Sequence, residues 1–169
     1  NLFGEYIRNF ESRLHVSEFQ RYEASLDAAK LAPENTALSK RDMFEAQGGL
    51  IDVSLDRLED ALGGTRFEGS AVVTSSLVKD GTFALIGPCA LFRSTDGTFI
   101  GTAERLDAKQ PTQVPFVNPE TTIAAGSLIE TGTGSFPVDV TLGNAHKVEA
   151  TQNETCLLYT SDLPTKLAV

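Results

Sequence analysis

The stretch Gly81-Thr-Phe-Ala-Leu-Ile-Gly-Pro-Cys-Ala-Leu-Phe-Arg-Ser-Thr-Asp-Gly97 decides the fold, because here the chain reads as short strands separated by turn residues. Asp80-Gly81 and Asp96-Gly97 are pairs that hairpin turns favour. Gly87-Pro88 interrupts the apolar run, and a proline without an amide hydrogen belongs at a strand edge or a bulge. The pattern predicts an antiparallel meander of three or four strands within residues 66–105, with turns at the two Asp-Gly pairs.

The predicted strands cover residues 67–73, 82–86, 89–93 and 99–103. Phe83, Leu85, Leu91 and Phe99 are expected to face the core. Downstream, residues 110–117 are predicted to be an extended linker. Asn118 before Pro119 is a good helix start, so a short helix is expected to run to about Glu130.

Upstream of residue 62 the apolar spacing is helical. One stripe joins Phe3, Ile7, Phe10 and Leu14, and a second resumes after a step of five residues with Phe19, Tyr22, Leu26 and Ala29. Ser17 and Gln20, at the slip, have the spacing of a capping box. Two interpretations stay open: a new helix begins at Ser17, or one long helix shifts register.

The next helix is predicted to begin at a second capping box, Ser39 with Asp42, and to end at Gly63-Gly64. Gly48-Gly49 inside it costs roughly 1 kcal/mol per residue relative to alanine, which is typical of a kink or a close helix contact. Its stripe, which is expected to need a partner, is predicted to be Phe44, Gln47, Ile51, Leu55, Leu58 and Leu62. Because this stripe exceeds what a small sheet can cover, the helices are expected to form a coiled-coil-like arm that associates with another chain.

The predicted fold class is therefore α+β. Residues 1–62 form the helical arm, and residues 65–150 form a small α+β domain with the antiparallel meander followed by a short C-terminal helix. The hydrophobic content of 41%, with ten Phe, supports a real core. A net charge of −9 argues against nucleic acid as a partner. No apolar run reaches the ~18 residues of a membrane span.

The motifs that could carry chemistry have simpler explanations. Ser76-Leu-Val-Lys79 has acyl-transfer spacing but precedes a predicted turn, without its partner motifs. Gly132-Thr-Gly134 follows a helix rather than a strand, so the dinucleotide fingerprint fails. His15 and His146 have no second ligand at helical spacing, and Asp56, Glu59 and Asp60 are expected to form a solvated face. Cys89 is expected to be a buried small hydrophobe. The sequence thus predicts no catalytic, cofactor-binding or metal residues, and no enzyme.

The two ends of the chain suggest a cut open reading frame. Cys156-Leu-Leu-Tyr-Thr-Ser-Asp162 resembles the translation of an adapter used to prepare sequencing libraries, and the chain begins at Asn1 in the middle of a predicted helix. We expect residues 156–169 to be a non-native tail that packs poorly, in a fragment assembled from metagenomic reads. The alternative is a native tail, a short strand with a turn at residues 162–164.

Three segments carry a family resemblance: residues 54–69 (SLDRLEDALGGTRFEG), residues 81–97 quoted above, and residues 143–150 (GNAHKVEA). Together they resemble the long extracytoplasmic N-terminal extension of some bacterial MotA/TolQ/ExbB proton-channel family proteins. The middle segment is also similar to periplasmic coiled-coil proteins of TonB-type transport systems. The resemblance covers roughly residues 40–150. The membrane helices that define the family are missing from the sequence, so no channel-lining residue is carried over.

The resemblance implies a non-catalytic structural or interaction module on the periplasmic side of the bacterial inner membrane, within a proton-motive-force-coupled transport complex. Its implied partners are proteins: further copies of itself through the arm, and ExbD/TonB-like components. The alternative is a stand-alone periplasmic coiled-coil or ligand-binding protein of a TonB-type system. An exposed apolar stripe along the arm would favour the module, whereas a deep pocket with convergent polar side chains would favour the binding protein.

Overall fold

The computed structural model describes residues 2–74, 76–106, 110–138, 145 and 147–152. Within these residues, the elements with assigned bounds are four α-helices and five strands, which make a mixed α+β fold, as predicted. The helices are α1 (Leu2–Arg13), α2 (Phe19–Leu31), α3 (Lys40–Gly63) and α4 (Pro119–Thr131), with a short 3-10 helix, Val16–Glu18, before α2. The strands are β1 (Thr65–Thr74), β2 (Leu77–Ile86), β3 (Cys89–Ser94), β4 (Ile100–Glu104) and β5 (Thr112–Pro115). The predicted poor packing of residues 156–169 lies outside the described residues.

The sheet is a closed barrel in the order β1-β2-β3-β4-β5, which corrects the predicted open meander. Strands β1 to β4 do follow one another antiparallel, as expected. The segment predicted to be a linker instead contains β5, which pairs antiparallel with β4. It closes the barrel by a parallel pairing of Val72 with Thr112. A parallel contact between segments 40 residues apart leaves no local pattern in the sequence, so it was missed.

One of the two predicted Asp-Gly turns is wrong. Asp80-Gly81 lies inside β2, and the chain reverses before β2 begins at Leu77, where Ser76 has a φ of 83°. Gly81 serves strand packing, since a Cβ there would lie 2.2 Å from the carbonyl oxygen of Arg93 on β3. The turn at Asp96-Gly97 is confirmed: Gly97 has a φ of 71°, and its N–H donates to Ser94 O. Gly87-Pro88 forms the turn between β2 and β3.

The barrel encloses Phe83, Leu85 and Phe92 with small residues of β1, β3 and β4. Phe83 and Leu85 therefore face the core as predicted, and Phe99 packs against it only partly buried. Leu91 is also buried but on the outer side of the sheet, under α4. Helix α4 starts at the predicted Asn118 cap and ends one residue beyond the predicted Glu130.

The N-terminal helices do not form a clear coiled-coil arm. They pack around a core of their own made by Ile7, Phe10, Leu14, Tyr22, Leu26, Ala29 and Leu50. Helix α1 ends at Arg13, and the 3-10 helix and α2 follow it, so separate helices are present rather than one long helix. The predicted Ser17–Gln20 capping box is wrong: His15 and Glu18 form it, while Gln20 bonds to the backbone of Ser70 on β1. The Ser39–Asp42 box at the start of α3 is confirmed.

Four members of the predicted stripe of α3 are exposed: Phe44, Ile51, Leu55 and Leu58. The face of α3 that packs on the other helices instead carries Leu50, which is 1% exposed, and Ser54, which is 7% exposed, together with the buried stripe member Gln47. Helix α3 continues through Gly48-Gly49, and a Cβ at either glycine would meet nothing within 4 Å, so of the two predicted alternatives, a kink or a close helix contact, the close contact is not found. Within the described residues, no helix is long and apolar enough to cross a membrane.

Candidate interaction surface on helix α3

The outer face of α3 carries a row of apolar side chains that the fold leaves in solvent. Phe44 is 64% exposed, Ile51 42%, Leu55 57% and Leu58 58%. With Gly48 between the first two, the row advances by alternating steps of four and three residues, the 3.5-residue period of a coiled-coil interface. We call Phe44, Gly48, Ile51, Leu55 and Leu58 the seam. Except for Gly48, its residues belong to the stripe that the sequence predicted to need a partner.

Two apolar faces on one helix explain why the seam stays outside. The inner face places Leu50 at the centre of the helical core, with Val53 packed against it. Tyr6 on α1 hydrogen bonds to the Ser54 hydroxyl, which also donates to Ile51 O at 2.7 Å. Since α1 and α2 already cover this side, no described helix remains to cover the seam.

A buried ion pair fixes the second half of α3. Arg57 Nε donates to Glu18 Oε1 at 2.7 Å, and its Nη2 donates to Glu18 Oε2 at 2.8 Å and to Arg13 O at 3.0 Å. Glu18 is 2% exposed and also accepts from the His15 N–H at 2.7 Å. The hydrogen bond from the Arg57 guanidinium to Glu18 raises the pKa of Arg57. The pair ties α3 to the end of α1 and to the 3-10 helix, and so orients the seam.

The two edges of the seam differ in charge and in exposure. On one edge, which we call the outer row, lie Glu45, Asp52 and Glu59, seven residues apart and all exposed. On the other edge, Gln47 and Ser54 are buried within the helical unit formed by α1, α2 and α3, whereas Lys40 and Ala61 at the ends of this edge are exposed. The seam therefore has one open, acidic edge and one edge that is covered along its middle.

Specific contacts fasten the helical unit to the barrel. Gln20 pairs with β1 as a neighbouring strand would, donating to Ser70 O at 2.8 Å and accepting from Ser70 N at 2.9 Å. Arg21 bridges the two parts, bound to Asp60 at 2.8 Å and lying over the Phe67 ring. The barrel thus serves as a base that holds the seam-bearing helices.

A cleft of about 1260 Å³ opens between the helical unit and the barrel. Its lining includes His15, Gln20, Lys30 and Arg105, together with acidic side chains of α1 and α2. Lys30 is already bound to Glu11 at 2.9 Å, so part of this charge is satisfied within the protein. Burial lowers the pKa of His15, which favours its neutral form. The cleft is lined by polar and apolar side chains alike. His15 Nδ1 lies 2.9 Å from the Ser17 hydroxyl, but this serine is 0% exposed and does not line the cleft.

The motifs that sequence analysis set aside have structural roles. Lys79 bonds to Asp96 at 3.1 Å rather than to Ser76. Hydrogen bonds from Ser94, Thr98 and Lys79 lower the pKa of Asp96. Gly132 has a φ of 83° and ends α4, donating to Leu128 O.

The acidic face predicted to be solvated is exposed at Asp56 and Glu59, whereas Asp60 is bound to Arg21. His146 lies outside the described residues.

Two buried titratable groups also serve the fold. Cys89 is buried, as expected, and burial raises its pKa to about 11, so the thiolate is disfavoured. Glu149, which sequence analysis overlooked, is 2% exposed and accepts from the N–H groups of Val117 and Asn118. These two hydrogen bonds fix the chain that enters α4.

Among the residues that the structure describes, no three His, Cys, Asp or Glu side chains group so as to hold a metal ion. Comparison with protein families, with curated proteins and with solved structures finds no match to this chain. The exposed seam is therefore the feature from which function has to be argued.

Proposed function

We propose that this chain is a non-catalytic protein-interaction module that presents the α3 seam to a partner helix. The observation that carries the proposal is the 42–64% exposure of four large apolar side chains at heptad spacing. Complete burial of one such side chain contributes about 1.5–3 kcal/mol, so covering what remains exposed of four supplies several kcal/mol. Clusters of this kind on a protein surface mark interaction sites more often than isolated exposed residues do.

The proposed setting is the periplasmic side of the bacterial inner membrane, in a MotA/TolQ/ExbB-like complex coupled to the proton-motive force. This part rests on the resemblance of residues 54–69, 81–97 and 143–150 to the extracytoplasmic extensions of that family. ExbD/TonB-like components are the proposed partners. The alternative within the same class is a stand-alone periplasmic protein that uses the seam in a TonB-type system.

Site-specific photocrosslinking tests the module. A benzophenone amino acid replaces Leu55 on the seam, and a matched control carries it at the exposed Glu34, away from α3. In cells with an ExbB/ExbD/TonB-type complex, Leu55 should yield discrete adducts with components of that complex, while position 34 should not. Equal yields at both positions, or none at Leu55, would contradict the proposal.

The gene itself tests the setting. A hydrophobic span of about 20 residues should follow within a few dozen residues of Thr155. Deleting residues 1–150 should then spare channel assembly while impairing transport for one outer-membrane system. A gene that stops near Thr155 without such a span would make the stand-alone protein the better proposal.

The cleft between helices and barrel favours a second candidate, a binding protein for a soluble ligand such as a cell-wall fragment. Titrating such fragments while recording backbone amide NMR signals separates the two candidates. Binding in the cleft should shift Gln20, Glu23 and Arg105 and leave Ile51 and Leu58 unchanged. The absence of shifts at saturating fragment would rule this candidate out.

A further inference from the structure

If the chain is the interaction module proposed above, the charge of the seam's open edge restricts the kind of partner that the seam can bind. The outer row is acidic at every heptad: Glu45, Asp52 and Glu59. Arg41 pairs with Glu45 at 2.9 Å, but these side chains are 86% and 62% exposed, so this pair contributes little and can be exchanged. A helix lying on the seam would place its own flanking residues beside this row.

A second copy of the chain fits the seam poorly in either direction. In an antiparallel pair the outer rows would face each other, bringing Glu45 near Glu59 of the other copy and Asp52 near its own counterpart. In a parallel pair, the outer row of each copy would lie beside the opposite edge of the other copy's seam. The middle of that edge, Gln47 and Ser54, is buried under the protein's own helices.

A lipid surface fits no better. Amphipathic helices that lie on membranes place Lys and Arg on the polar side, where anionic headgroups attract them. Here the residues that would lie at headgroup level are Asp and Glu. The same negative charge that opposes self-pairing and anionic lipid would attract a positively charged helix.

We propose that the seam receives an amphipathic helix of a different polypeptide, with apolar residues at heptad spacing and Lys or Arg along the edge that meets the outer row. Gly48 adds a steric requirement. A Cβ at Gly48 would meet nothing within 4 Å, so the seam has a gap between Phe44 and Ile51. A large apolar side chain of the partner fills this gap as a knob fills a hole.

Two synthetic helical peptides of about three heptads test the charge requirement. Both carry leucine at the seam-facing positions; one has lysine at the flanking positions and the other has glutamate. Binding to the intact chain is followed by fluorescence anisotropy. The lysine peptide should bind at least about tenfold more tightly, and about 0.5 M salt should reduce this difference by screening.

Matched variants locate the effect on α3. Glu45→Gln, Asp52→Asn and Glu59→Gln together should weaken the lysine peptide about tenfold, since three exposed charge pairs are lost. The control triple Glu23→Gln, Asp27→Asn and Glu34→Gln removes the same charge from exposed positions elsewhere and should leave binding unchanged.

The outcomes separate this inference from the proposed function. If both peptides bind equally and Leu55→Gln abolishes binding of both, the seam is an interaction site but the basic partner is wrong. The partner is also wrong if neither peptide binds, if the control triple weakens binding as much, or if the chain binds anionic vesicles through the seam. A concentration-dependent dimer that Leu55→Gln dissociates would identify a second copy as the occupant and overturn the inference.

Discussion

Replacing Arg57 with leucine tests whether the buried pair with Glu18 holds α3 in place. The substitution keeps an apolar stem in the core but removes three hydrogen bonds, two to Glu18 and one to Arg13 O. Glu18, 2% exposed, would keep only the bond from the His15 N–H. An uncompensated carboxylate would remain in a site that water does not reach.

The expected cost is large for a single substitution. Removing one partner of a buried ion pair destabilises a protein by about 3–5 kcal/mol, because the other charge is left desolvated. The control is Arg41→Leu, since its pair with Glu45 is mostly exposed and lies at the i,i+4 spacing worth about 0.3–0.5 kcal/mol. The free energy of unfolding is measured by urea titration with far-ultraviolet circular dichroism.

The double variant Arg57→Leu with Glu18→Gln decides the cause. A neutral glutamine removes the desolvated charge and can still accept from the His15 N–H, so it should recover part of the loss. If Arg57→Leu costs less than about 1 kcal/mol, as exposed pairs do, the pair does not stabilise α3 as argued. A double variant as unstable as Arg57→Leu alone would show that the unpaired charge is not the cause.

Four further predictions concern the barrel, helix α3, the cap at His15 and the Cys89 thiol. Gly101→Ala should destabilise the protein by about 1–3 kcal/mol or more by overpacking, since the new Cβ would lie 2.0 Å from a carbonyl oxygen of β5. Gly49→Ala should stabilise it by up to about 1 kcal/mol, because that Cβ meets nothing within 4 Å and alanine favours the helix; urea titration of both compares the signs. Because burial lowers the pKa of His15 in the folded state, the unfolded state binds protons more readily. The contribution of neutral His15 to the free energy of unfolding should therefore be complete above the unfolded pKa of about 6.5 and be lost as the pH falls below it. The variant His15→Asn should flatten this pH dependence in thermal melts. With Cys156→Ser as background, Cys89 should react with a thiol reagent at pH 8 only after unfolding, since burial raises its pKa to about 11; rapid labelling of the native protein would contradict its burial.

Sequence by itself determined the features that a few neighbouring residues control. The Ser39–Asp42 cap, the Asn118-Pro119 helix start and the Asp96-Gly97 turn each depend on hydrogen bonds or backbone angles within about four residues. The helical and strand regions also follow from local apolar period. These signals were sufficient for the α+β class and for most element positions.

Tertiary structure decided the features that depend on distant segments. Asp80-Gly81 has the composition of a turn, yet both residues lie in β2. The glycine is needed there because β3 lies too close to Gly81 to leave room for a side chain. Residues 112–115 join the barrel only because β1 offers its remaining edge, a pairing that no local pattern records.

The candidate surface shows the same division. Heptad spacing from Phe44 to Leu58 was readable in the sequence, but α3 carries a second apolar face around Leu50. Which face is buried depends on the free energy of packing against α1 and α2. The apolar periodicity along one helix does not contain this information. Burial of Leu50 in the core and the ion pair of Arg57 with Glu18 fix the rotation of α3 about its axis. In that orientation the seam faces solvent.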